Sequence, residues 1–119
     1  MAYQSFEELE IWKRGCRLAV DVCRELNACK MYALRDQMQR AAISIPSNIA
    51  EGAERDSRPD FMKFLRYAKS SAGELRTQTY IAIKLGELTP ATGEPFVQEL
   101  RELGAMIQAL IFSLEKPEH

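Results

Sequence analysis

The side chains that could do chemistry in this chain are few. There is one histidine, His119, at the last position. That removes Ser-His-Asp and Cys-His catalysis, which need an imidazole beside the nucleophile. It also removes a di-iron carboxylate centre, which takes a Glu-x-x-His from each of two helices. No glycine-rich phosphate loop and no CxxC pair is present. The three cysteines, Cys16, Cys23 and Cys29, fit a reducing compartment better than a disulfide framework. On one helix Cys16 and Cys23 stand about 10 Å apart along the axis, too far for a bridge. They are expected as small buried hydrophobes, and Cys29, near a helix end, as an exposed free thiol. Glu7 and Glu8 fall in a first helical turn, where the helix dipole accounts for them. Glu51 and Glu74 are the remaining candidates for acid–base work. Structural hydrogen bonding explains them better than catalysis. No catalytic residue, metal site, cofactor or small-molecule substrate is expected.

Cations are the other reactive class. Lys and Arg together number 16 and Asp and Glu 17, a net charge of −1. Residues 1–84 hold 14 of the cations against 11 acids, and residues 85–119 hold 2 against 6. Lys13, Arg17, Arg55, Arg58, Lys63 and Arg66 are the candidate phosphate contacts, since Lys and Arg dominate nucleic-acid affinity. Tyr67 within that run could stack on a base. Glu10, Asp21, Glu25 and Asp60 intermingle with these cations, which fits a solvated face of mixed charge equally.

Four amphipathic helices must position these groups. The first is expected from about Phe6 to Asn27, with Ser5 and Glu8 as a capping box. Leu9, Trp12, Cys16, Ala19, Cys23 and Leu26 form its core seam. Ile11, Gly15, Leu18 and Val22 form a second row. The next begins near Tyr32 and carries Leu34, Met38, Ala41, Ile45, Ile49 and Gly52 in phase through Pro46. That phase predicts one helix kinked at Pro46 rather than a loop. Ser44 and Asn48 are expected to meet the freed backbone groups, and Asn48 and Glu51 to reach Ser71 and Glu74 on the third helix, as a polar clasp. The third helix starts at the Ser57 cap and stops at Gly86. The fourth follows TPATGEP and carries Phe96, Leu100, Leu103, Ile107, Leu110 and Leu114. Nothing alternates with the period of a strand. Short connections make neighbours antiparallel. The predicted fold is all-α: a single-domain, antiparallel up-down-up-down four-helix bundle over residues 1–119.

Apolar rows beyond one seam suggest self-association through Ile11, Leu18, Val22, Val97 and Ile111; a wide core stripe explains the same rows. The opening MAYQSFEELEIWKRG places glutamates where a signal peptide needs an apolar run, and no stretch suits a membrane span. A soluble, cytoplasmic protein is expected.

RAAISIPSNIAEGAERDS, DFMKFLRYAKSSAGELRTQ and IAIKLGEL resemble the four-helix-bundle family of 23S rRNA intervening-sequence proteins, and FEELEIWKRG resembles the usual start of that family. The resemblance spans roughly residues 6–115. It extends more distantly to the accessory variability protein of diversity-generating retroelements. It implies a homopentameric ring and an RNA or nucleoprotein partner. One departure is Ser70-Ser71, where a Gly-Ser pair is usual. The expected function is therefore a non-catalytic, homo-oligomeric RNA- or nucleoprotein-binding module. The alternative is a protein-interaction scaffold with no nucleic-acid role.

Overall fold

The structure, a computed structural model, describes residues 5–117. Those residues form four α-helices: α1 (Glu10–Glu25), α2 (Tyr32–Ala53), α3 (Arg58–Lys84) and α4 (Pro90–Glu115). They pack side by side into an all-α bundle 52 Å long and about 20 Å across. α2 and α3 share the widest seam, α3 and α4 the next, and α1 and α4 the thinnest. Cross-helix contacts run in opposite directions along α2/α3 (Gly52 to Phe61 and Phe64, Ser44 to Ser71). The same holds for α3/α4, where Lys69 meets Gln108 and Tyr80 meets Arg101.

The helix ends follow local chemistry. Ser57 caps α3 by accepting from the Asp60 amide at 3.2 Å. At the other end Gly86 takes φ 78°. Its amide donates to the Ile83 carbonyl and the Glu87 amide to the Ala82 carbonyl. This pair of bonds is the Schellman stop, and it needs a left-handed residue.

Two boundaries differ from expectation. The Ser5–Glu8 capping box is present, but it closes a 3-10 turn, Phe6–Glu8. Leu9 is then extended, and α1 begins only at Glu10. The Phe6 ring packs edge-on against Trp12, centroids 5.3 Å apart. At the other end of the molecule α4 starts at Pro90, not after Pro95. Thr89 caps it by accepting from the Thr92 amide, and Pro90 needs no amide hydrogen in the first turn. Pro95 removes one hydrogen bond from the Ala91 carbonyl, and Ala91 is exposed to solvent. As the phase of its apolar residues predicts, Pro46 lies inside one helix, α2, continuous from Tyr32 to Ala53.

The largest difference lies in α1. The row expected on an oligomer interface, Ile11, Leu18 and Val22, is buried in the chain's own core. Val97 and Ile111 of α4 are buried likewise. Trp12, Cys16 and Cys23, expected in the seam, are only half-buried. The second row is buried whole and the expected seam is split, with Ala19 and Leu26 still buried, because α1 turns its Gly15 side toward α2. A Cβ at Gly15 would stand 3.4 Å from the Pro46 ring. Cys29 is also reversed. It is buried, and its thiol donates toward the Met31 carbonyl. Burial pushes all three thiols up, away from the reactive thiolate.

Two glycines are packing requirements. A Cβ at Gly52 would meet the Phe64 Cβ at 2.7 Å, and one at Gly93 the Ile83 side chain at 2.6 Å. Gly73 and Gly104 are the opposite case, with nothing within 4 Å of a Cβ. Gly52→Ala should therefore lower stability by about 1–3 kcal/mol through overpacking. Gly73→Ala should raise it by about 0.5–1 kcal/mol through helix propensity. Chemical-denaturation midpoints of the two variants, moving in opposite directions, check both.

Candidate nucleic-acid interface

The exposed cations decide what this bundle can hold. α3 carries six cations, Lys63, Arg66, Lys69 and Lys84 exposed and Arg58 and Arg76 half-buried, against Asp60 and Glu74. α4 carries one, Arg101, against four glutamates. The two helices pack together, so their outer faces meet in one groove.

The structure does not gather the six candidate phosphate contacts into one patch. Arg55 and Lys63 share the Phe64 ring, 4.8 and 5.3 Å from its centroid. Arg55 also pairs with Glu51 at 3.7 Å. Arg58 donates to the Ser113 and Lys116 carbonyls, where the end of α4 is electronegative. Arg66 pairs with Glu115 at 3.1 Å, both side chains exposed. Such a surface pair is worth about 0–1 kcal/mol, so a phosphate can compete for it. Arg17 lies in a cleft of about 460 Å³ between α1 and α4, beside Glu10, Asp21 and Glu99. Lys13 is exposed on α1.

Arg14 is fully committed to the fold. Its Nε donates to Glu99 at 2.8 Å, an Nη to Glu102 at 2.9 Å and the other Nη to the Met106 sulfur at 3.1 Å. The two carboxylates, Glu99 first, raise the guanidinium pKa further. This triad ties α1 to α4 at their thin seam.

The polar clasp is narrower than expected. The Ser44 and Ser71 hydroxyls are 2.8 Å apart and join α2 to α3. Asn48 donates back to the Ser44 carbonyl and hydroxyl, at 2.9 and 2.8 Å, and does not cross. Glu51 turns to Arg55 one turn later, with its side chain 54% exposed. The two serines meet directly across the gap, whereas Glu51 finds a cation just past the end of its own helix. Glu74 lines a cleft of about 350 Å³ with Gln37, Arg40, Ser44 and Gln78, and Glu51 is absent from that lining. Gln78 is buried there, and its Oε1 has no hydrogen-bond partner among the described residues.

Among the described residues no His/Cys/Asp/Glu group could hold a metal ion, and no helix is long and apolar enough to cross a membrane. Sequence reasoning missed Lys69, Arg76 and Arg101 as a set. Their signal was weak: the helical spacing Lys69/Gly73/Arg76/Tyr80 and one cation in an acidic helix.

These features define a small helical bundle whose surface is charged and apolar by turns. The chain belongs to the family described as 23S rRNA-intervening sequence protein, which matches residues 7–109. A crystal structure of a protein of unknown function from the S23 ribosomal protein family of Bacteroides thetaiotaomicron has the same fold. Its TM-score is 0.80 at 24% identity, over 85% of this chain and 97% of that one. No curated protein matches the chain.

The Glu102 carboxyl is held below its ordinary value, by the Gln98 amide first and by Arg14 next. A carboxyl lowered on folding adds stability above its unfolded pKa and loses it as pH falls through the folded value. The α1–α4 seam should therefore loosen below the usual carboxylate range and not at alkaline pH. Glu102→Gln should shrink the loss of thermal midpoint between pH 6 and pH 3, measured by circular dichroism.

Proposed function

We propose that this protein is a non-catalytic, homo-oligomeric bundle that binds RNA, alone or within a nucleoprotein. The observation that carries the reading is the charge of α3, six cations against two acids on an exposed helix, in a chain of this family. A net charge of −1 supplies no global attraction, so binding must come from a local patch. Self-association multiplies weak patches through effective concentration, and five copies in a ring would do so most strongly. The apolar surface for it lies elsewhere than the buried Ile11 row. Val20 on α1, within one turn of half-buried Cys16 and Cys23, is 48% exposed, and Ile43 on α2 is 53% exposed. The closed contacts of a ring are heterologous, one face meeting a different one.

The alternative, a scaffold with no nucleic-acid role, rests on those same apolar side chains. A salt-titrated mobility-shift assay separates the two. Binding that weakens linearly in log salt supports the RNA reading, and no salt-dependent binding to any RNA leaves the scaffold. Light scattering at micromolar concentration should give a mass several times 13.6 kDa; a monomer there would contradict the assembly.

A further inference from the structure

The groove between α3 and α4 collects cations that the fold does not use. Lys69, Gly73, Arg76, Arg101, Gly104 and Gln108 line about 310 Å³ of it, and no Asp or Glu is among its lining residues. Lys69 donates to Gln108 and Arg101 to the Tyr80 hydroxyl at 2.9 Å, both neutral acceptors. Arg76 has no hydrogen bond or ion pair among the described residues. Three positive charges thus share one groove with no carboxylate to neutralise them. Elsewhere the fold does pair its cations, as at Arg14, Arg55 and Arg66.

The floor is unusually low. Gly73 and Gly104 weaken the interiors of their helices, and nothing within 4 Å requires either to lack a Cβ. The space they leave opens into the groove. Two exposed aromatic residues lie one helical turn outside the lining set. Tyr80, one turn beyond Arg76, is 45% exposed, and Phe112, one turn beyond Gln108, is 57% exposed.

We infer that this groove is a track for single-stranded RNA. Lys69, Arg76 and Arg101 meet successive phosphates, the glycines admit the backbone, and Tyr80 and Phe112 stack bases. Packed helix axes lie about 8–10 Å apart. A groove between them seats one strand, whereas a duplex reaches only its rim. The inference rests on the RNA-binding reading above and gives it a location distinct from the Arg55–Arg66 corner.

Fluorescence anisotropy with a labelled single-stranded RNA of about twelve nucleotides, alone and annealed to its complement, tests the inference. Lys69→Ala/Arg76→Ala/Arg101→Ala should weaken single-strand binding at least tenfold and flatten the log–log salt slope by about two, the loss of three phosphate contacts. Gly104→Leu, whose Cβ would meet nothing within 4 Å, should weaken binding several-fold while the thermal midpoint holds or rises. Arg17→Ala/Arg55→Ala, on neither wall of the groove, should bind within a few-fold of wild type. If wild type binds and both groove variants bind like it, the groove is not the site. Preference for the duplex, or loss of self-association with RNA binding intact, overturns the inference in favour of another occupant. If wild type binds no RNA at any salt, the broader reading fails and this one with it.

Discussion

Gly52 sits against the first turns of α3 with no space for a methyl group, and that close approach sets the rest of the bundle. Phe61 is buried under it and the Phe64 Cβ is the nearest atom a side chain would strike. Seven residues on, two helical turns, Ser71 returns to the same side and meets Ser44. Another seven brings Gln78 to the α2 side, buried beside Ala41 and Ser44. These points lock the rotation of α3 about its own axis. With that rotation fixed, Lys69, Gly73, Arg76 and Tyr80 can only face away from α2, along α4. The cationic groove is a consequence of α2 packing, not a separate construction.

α1 is held differently. It leans on α2 through Gly15 and Pro46 and on α4 through the Arg14 triad. The Pro46 ring is buried against the glycine, so the position that interrupts the α2 hydrogen-bond ladder also supplies the apolar contact for α1. Mixed charge at the α1–α4 cleft leaves Arg17 among three acids. Electrostatic attraction for phosphate is therefore weaker there than in the α3–α4 groove lined by Lys69, Arg76 and Arg101, whose lining holds no acid.

Much of the fold was legible because its signals are local. Ser57, Gly86 and the seams of α2, α3 and α4 follow from capping chemistry and period alone. The first helix misled because both of its rows are apolar. Periodicity counts rows but does not say which one a partner helix covers. Pro95 masked the first turn of α4, since a proline reads as a boundary unless the cap before it is weighed. The polar clasp was legible as a set of short side chains in α2 and α3. Its wiring depended on which side chain found a nearer partner, and Glu51 found Arg55. The cations were visible, but their partners lie 39 positions away for Lys69 and 85 for Arg14 with Glu99, so sequence windows cannot separate committed charges from free ones.

α3 and α4 are opposite in net charge, and the single cation of α4 sits on the groove. That placement gives a protein with no overall positive charge a surface fit for a polyanion. On the proposed reading, bases stack on Tyr80 and Phe112, exposed aromatic residues one helical turn from Arg76 and Gln108. The most direct measurement is photo-crosslinking of 4-thiouridine-substituted single-stranded RNA to the full chain, with modified residues identified by mass spectrometry. Crosslinks concentrated at Tyr80 and Phe112 are the predicted result. Crosslinks confined to residues 10–25 and 55–66, with none on the α3–α4 groove, would contradict the account.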